Sequence, residues 1–355
     1  MKRKLYFSFL AFALTISATV AFVVGHNPAS RAASTNAALA ALPASDFIVY
    51  FDVQRALNET LPAMLASSPT LLAKMNAHLD EFQKKTGINP RSFESIAIGG
   101  RVSPANPHDA RTVVIARGSF NADELLENAF TAAKAKGEKF EKEEQLYEGK
   151  KIILIRPARS VKDEAGTSEK QEAPPAISYT RESRNNKVAL AVLDSNTLAI
   201  GELEGVRAAI NASLGRERVD DELVRLATQT PNAVVGFSGN MPQGLLKKAS
   251  SNTSIEKYVA SIRQFYGSFN ANGTDAETLV TLRTETAAQA SEIGQSLNAI
   301  KSFAGLSGLA SRGNEAKADS IGEILKGLSI TTQGNEVQID VKVPQGSFAP
   351  FMRTF

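Results

Sequence analysis

Cysteine and tryptophan are absent from the 355 residues, and histidine occurs three times, as His26, His78 and His108. Without cysteine there is no disulfide, no thiolate nucleophile, no Cys-ligated zinc or iron–sulfur cluster and no diacylglyceryl lipoprotein anchor. Three histidines leave no room for a site with several His ligands. An excess of one charge is missing too, with Lys+Arg at 40 against Asp+Glu at 37. What is present, 43% hydrophobic and 22% charged residues, is the composition of an ordinary folded protein. The length allows two domains of roughly 100–200 residues each, or one large one.

The N-terminus is different. Lys2, Arg3 and Lys4 precede an uncharged run from Leu5 to Val24 rich in Leu, Phe, Ala and Val. A basic segment followed by an apolar run is the pattern of a secretory signal. The run also has about the 20 residues that span a bilayer as a helix. Residues 1–32 are therefore a signal peptide, with Ser30-Arg31-Ala32 as the cleavage motif before Ala33, or an uncleaved membrane anchor. Both readings export the body to the periplasm, the outer face of the inner membrane or the extracellular space. Without residues 1–33 the body carries 36 basic and 37 acidic residues. A near-neutral body has no basic face for nucleic acid.

Residues 33–41 read as a tether, and the fold is expected to begin at Leu42-Pro43. Phe47-Ile48-Val49-Tyr50-Phe51 is an apolar run bounded by Asp46 and Asp52, the pattern of a strand buried on both faces. Helices are expected at 54–66 and 69–85, the second with Leu71, Leu72, Met75, His78, Leu79 and Phe82 on one stripe and a stop at Gly87. Strands follow at 93–102 and 111–118, then a helix capped by Asn121, then strands at 139–147 and 150–156. Residues 158–176, with charges and Pro174-Pro175, read as a solvated excursion. Strands at 177–183, 187–193 and 196–201, with a Ser195-Asn196 turn, and helices at 203–213 and 219–228 complete a first α+β lobe at 42–229. A second α+β lobe at 230–355 opens with a strand from Asn232, followed by short helices at 242–249 and 254–263. A hairpin at 264–272 and 276–284 follows. An Ala-rich helix at 286–303 breaks at a Gly/Ser-rich 304–314, and a short helix at 316–326 leads to a hairpin in which Val337, Ile339, Val341 and Val343 alternate with polar residues.

The shared order of elements predicts α+β class: two related lobes, a split strand–helix–strand duplication, each an antiparallel sheet with helices on one face. Several short motifs point the same way. They are Leu42-Pro43-Ala44 with Asp46, Gly87-Ile88-Asn89-Pro90, Gly118 with Phe120, and Asp194 followed by Asn196-Thr197-Leu198-Ala199-Ile200-Gly201. On these the chain resembles an uncharacterised family of exported bacterial proteins with a two-lobed α+β plan. The resemblance implies no activity and carries over no functional residue.

Chemistry-bearing patterns are few. His78 reads as a core-edge histidine, and His108 beside Asp109 lacks a third ligand. Ser254-x-x-Lys257, Ser250-Ser251-Asn252 and Lys85-Thr86-Gly87 match the three elements of serine β-lactamases, but in the wrong order and context. Gly99-Gly100-Arg101 has no phosphate-binding pattern around it and reads as close backbone approach. Asp52 and Asp194 would serve acid–base work if they converged, and serve as turn or cap residues otherwise. Asn58-Glu59-Thr60, Asn211-Ala212-Ser213 and Asn272-Gly273-Thr274 fit the glycosylation sequon.

No catalytic, cofactor-binding or metal residue emerges. The expectation is a non-enzymatic exported envelope protein, an interaction or structural module with an unknown protein partner and no cofactor. The alternatives are a carrier or sensor of a hydrophobic ligand, with the 286–303 helix as a lid, and a hydrolase without a recognisable motif. Any binding surface should be apolar, lined by Leu125, Leu126 and Phe130 or by sheet residues facing them. Membrane contact is expected only through the N-terminal segment, if it is retained.

Overall fold

The computed structural model describes residues 37–102, 110–157, 187–241, 260–271, 275–310 and 325–344. The strands are β1 (Phe47–Asp52), β2 (Phe93–Val102), β3 (Ala110–Gly118), β4 (Phe140–Tyr147), β5 (Lys150–Pro157), β6 (Val188–Asp194), β7 (Thr197–Gly201), β8 (Val235–Asn240), β9 (Ile262–Ala271), β10 (Asp275–Thr284), β11 (Leu328–Gln333) and β12 (Glu336–Pro344). These twelve, the strands of the described residues, belong to one antiparallel sheet in the order β11-β12-β10-β9-β8-β1-β2-β3-β7-β6-β5-β4. The class is α+β, as the alternation of elements predicts. The two separate sheets expected from the sequence are, however, one sheet. β8, the opening strand of the second half, pairs with β1, the opening strand of the first, from Phe47↔Gly239 to Phe51↔Val235.

Helices cover both faces, not one. On one face lie α1 (Val53–Arg55), a π-helical turn (Ala56–Thr60), α2 (Leu61–Leu65), α3 (Pro69–Thr86), α4 (Ala122–Ala135) and, at the far end, α7 (Ala287–Ala310). On the other lie α5 (Leu203–Ser213) and α6 (Asp221–Ala227). The uninterrupted apolar run of β1 is the local cause: Ile48 and Tyr50 point to the α5–α6 face and Phe51 to the other, and all three are buried. The excess of apolar positions on β1, β2 and β3 over strict alternation needs a cover on each side.

The helix ends follow local chemistry. Asn121 accepts from the backbone N–H groups of Asp123 and Glu124 and starts α4. Asp52 accepts from the N–H of Arg55 at 2.7 Å and turns β1 into α1. Gly87, at φ 72, closes α3 in the left-handed conformation that glycine adopts without strain. Ser195 and Asn196 make the β6–β7 turn, with Asp194 Oδ1 accepting from Asn196 N at 3.0 Å.

Three sequence expectations need correction. The supposed tether ends earlier, because residues 37–40 form a helical turn whose Ala38 and Leu39 are fully buried on the α5–α6 face. His78 is exposed, and the stripe of α3 that packs inward is Leu71, Leu72, Met75 and Phe82. The helix expected to break at 304 continues to Ala310. The 158–176 excursion, the 177–183 strand, the 242–249 helix and the 316–324 part of the last helix lie outside the described residues, as do all but the end of the 254–263 helix and the whole of 1–36.

Candidate functional site

Because the sheet is continuous, its residues line up in rows that cross it. One row on the α4–α7 face runs through Ile330, Ile339, Val280, Gly267, Phe237, Val49, Ile98, Val114, Ile200, Leu190 and Ile153, one residue from each strand except the edge strand β4, which contributes Glu144. At the β4 end the row is sealed by α4, whose Leu125, Leu126 and Ala129 join Leu190 and Ile153 in the core. At the other end Ala290 and Ile293 of α7 pack with Val337, Leu282, Ile330 and Ile339. Leu61, Met64 and Leu65 of α2 pack with Ala271 at the end of β9 and Ala276 at the start of β10. Between these three packed regions lie Phe47, Val49, Phe237, Phe265, Val280 and Val341, each half-buried and, among the described residues, in none of the core clusters.

The shape of this floor comes from glycine. Phe47 pairs directly with Gly100 and Gly239, Phe265 with Gly239, and Phe237 with Gly267. A Cβ placed on Gly100 would stand 2.0 Å from Phe47 Cζ, one on Gly239 2.4 Å from Phe265 Cζ, and one on Gly267 2.6 Å from Phe237 Cζ. The rings therefore lie over bare backbone, filling the gaps that the missing side chains leave in the sheet surface. The result is a low, smooth, uncharged floor. From β1 through β8, β9 and β10 to β12 it crosses four strand spacings, about 19 Å at roughly 4.8 Å each.

The opposite face carries polar groups at the end of the strands. Asp52, Ser95, Arg117, Thr197 and Asp194 form another cross-strand row, through β1, β2, β3, β7 and β6. Arg117 donates to Thr197 Oγ1 at 2.9 Å and stands 3.6 Å from Asp194 Oδ2. Ser95 is fully buried, and its Oγ and Arg117 Nε have no hydrogen-bond partner. Asp52 and Asp194 share this row without meeting: three strands separate them, about 19 Å at the same spacing. Asp52 instead belongs to an ion cluster with Arg55, which reaches Glu59 Oε2 at 3.0 Å and donates to Asn232 Oδ1 at 2.9 Å. That arrangement ties α1 and the π-helical turn to the entry of β8, where Asn232 sits at φ 63.

A second polar cluster joins α6 to the second half of the sheet. Arg283 donates to Gln264 Oε1 at 2.6 Å and to Glu336 Oε1 at 2.9 Å, and lies 3.4 Å from Glu222 Oε1. Tyr266, 4% exposed, donates to the same Glu336 oxygen at 2.9 Å. Burial, with that hydrogen bond and the Glu336 charge behind it, holds the Tyr266 phenol above its ordinary value. Every charged member has a partner within the cluster, as in a structural clasp.

The remaining sequence candidates scatter. Lys85-Thr86-Gly87 is the end of α3, where Thr86 Oγ1 donates to Phe82 O. Leu125 and Leu126, expected on a binding surface, are 9% and 5% exposed and belong to the core instead. Phe130 is half-buried, 5.8 Å from the Phe140 ring. Asn211 exchanges hydrogen bonds with Tyr147 Oη. His108, Asp109, Ser250, Asn252, Ser254, Lys257 and Asn272 lie outside the described residues. Among the described residues no group of three His, Asp or Glu side chains could hold a metal, and no helix is long and apolar enough to cross a membrane. The floor was missed in the sequence, although its signal is there: Phe237 with Gly239, and Phe265 with Gly267 and Phe269, alternate at the two-residue period of one sheet face.

Fold and site together define a cysteine-free α+β protein whose described residues build one twelve-stranded antiparallel sheet, with helices on both faces and an apolar floor on the α4–α7 face. No family model matches the chain, and no curated protein matches it. Among solved structures it is similar to TP0453. Crystal form I aligns with a TM-score of 0.40 at 8% identity, over 89% of this chain and 96% of that one. Form III aligns at 0.42 and 8%, over 89% and 98%, and form IV at 0.42 and 9%, over 88% and 95%.

Proposed function

We propose that this chain is a non-enzymatic exported protein that works by binding, and that its ligand is an apolar chain laid on the floor of Phe47, Val49, Phe237, Phe265, Val280 and Val341. The observation that carries the reading is the set of rings lying over Gly100, Gly239 and Gly267, which keeps the sheet surface low between α2–α3 and α7. The floor's span of about 19 Å accommodates a single acyl chain, since one leaflet contributes about 15 Å of a bilayer's hydrocarbon. The six floor side chains carry no charge, so affinity would come from apolar burial at about 25 cal/mol per Å².

A fluorescent fatty-acid probe titrated into the purified protein tests this. Saturable binding is expected, weakened about tenfold by Phe237→Ala, in line with the loss of one buried ring. Val280→Asn should weaken it in the same direction, and a panel of ester, amide and phosphate substrates should show no turnover. Binding that neither substitution changes would place the ligand elsewhere. Turnover abolished by one Ser, Asp or His substitution would refute the non-enzymatic reading.

A further inference from the structure

Among the described residues the sheet ends in two edge strands, β11 and β4, and the molecule treats them differently. β4 reads Phe-Glu-Lys-Glu-Glu-Gln-Leu-Tyr, an edge guarded by charge. β11 reads Leu-Ser-Ile-Thr-Thr-Gln, with no charge, proline or glycine. Such an edge is a ready template for another strand.

α7 reaches over that edge from the sheet face on which Ala290 and Ile293 pack. The β11–β12 hairpin closes on Gln333↔Glu336, and the alternation of an antiparallel ladder then leaves Leu328, Ile330 and Thr332 facing away from β12. Each meets α7. Leu328 O accepts from Lys301 Nζ, and Ile330 O accepts from Asn298 Nδ2 at 3.4 Å. A Cβ on Gly294 would stand 2.4 Å from Thr332 Cγ2. Residues 294, 298 and 301 share one helical stripe, so one line of α7 runs antiparallel along β11, and its Asn298 and Lys301 side chains cap two of the outward carbonyls.

The hold is lopsided. Ala290, Ile293 and Leu297 anchor the first half of α7 in an apolar cluster, whereas Ile300 and Phe303 are 64% and 71% exposed. Gly294 and Asn298, which make the contact, are weak helix formers.

We infer that α7 is a removable guard and that the β11 edge beneath it is a strand-addition site for the β11 edge of a second copy of this chain. Antiparallel pairing about Ile330 sets Ile330 against its own copy, Leu328 against Thr332, and Ser329 against Thr331. Leu328, Ile330 and Thr332 then share one face and Ser329 and Thr331 the other, and no like charges are brought together. A β4–β4 pairing would instead crowd Glu141, Glu143 and Glu144 against a second acidic set. The contact is isologous, so it closes as a two-fold dimer and does not grow.

Sedimentation velocity on the full chain, with hydrogen exchange read over β11 and α7, tests this. The wild type should be monomeric. Gly294→Val, whose side chain collides with Thr332, and Asn298→Pro, which breaks the helix, should each give a dimer. In that dimer the amides of Leu328, Ile330 and Thr332 should exchange more slowly while those of α7 exchange faster. Adding Ile330→Lys to Gly294→Val should return the monomer. Should either variant lose its near-UV signal, Asn298→Ala with Lys301→Ala removes both caps and leaves the helix packing in place, and the same shift is expected. A natively folded variant with freely exchanging α7 amides that stays monomeric would overturn the proposal. So would a dimer that survives Ile330→Lys, or β11 protection that arises only when a foreign peptide is added.

Discussion

The residues that repay attention are those whose neighbours leave them one role. Arg55 is 11% exposed in its side chain and faces Asp52 and Glu59, at 10% and 16%. Removing it takes the Arg55 charge from two largely buried carboxylates, and the loss of one partner of a buried ion cluster costs about 3 kcal/mol. Arg55→Leu is accordingly expected to lower the unfolding free energy by that amount, read as a lower urea midpoint with no change in slope, and Arg55→Lys to cost less. Tyr266 gives a pH signature. Its phenol is held above its usual value by burial first and by the hydrogen bond to Glu336 second. A group whose pKa is higher folded than unfolded contributes stability that is intact below about pH 10 and is lost as pH rises through the folded value. Urea midpoints from about pH 8 to 11 should therefore fall on the alkaline side. In Tyr266→Phe that fall should be shallower; an unchanged alkaline limb would assign it to other groups.

At the scale of elements, the contrast is between what is local and what is recruited. β5 and β6 pair directly, Ile155 with Val188, so the chain between them leaves and returns at neighbouring points of the sheet. Its charge and Pro174-Pro175 offer no apolar set to bury. Deleting 158–176 with a short Gly-Ser bridge should thus leave the melting temperature nearly unchanged. A loss above about 2 kcal/mol would show that the segment is packed. Most elements were legible from sequence: β2, β4, β5 and the Asn121-capped α4 match their expected spans, because period, cap and stop residues act within a few positions. α7 was legible as a helix but not as an edge guard. The contact joins Asn298 to Ile330 and Lys301 to Leu328, and no pattern within either segment records it.

For the whole molecule, the shared sheet decides cooperativity. β1 lies between β2 and β8, and Ser238 Oγ on β8 donates to Leu223 O of α6 at 2.6 Å. Neither half is a finished unit, because separation would bare Phe47, Val49 and Phe51 of β1 along an open edge. Residues 37–229 expressed alone should aggregate or melt well below the full chain, whose calorimetric and van't Hoff enthalpies should agree. A soluble 37–229 fragment with native-like near-UV spectrum and an independent transition would restore two separate lobes.

The sequence by itself determined the composition limits, the α+β class, most strand and helix spans, and the two-face burial of β1. Each depends on residue type and on periods of two or about 3.6. It did not determine that two sheets are one, that helices sit on both faces, that Ala38 and Leu39 are core, or that Asp52 and Asp194 stand four strand spacings apart. Nor did it assemble the floor, where Phe47 must find Gly239 almost two hundred positions later. Those outcomes belong to tertiary structure for one reason: a strand presents the same unsatisfied N–H and C=O groups to any neighbour. Which edge meets which is decided only when side-chain shape, the bare glycine and the flat ring, favours one register over the rest.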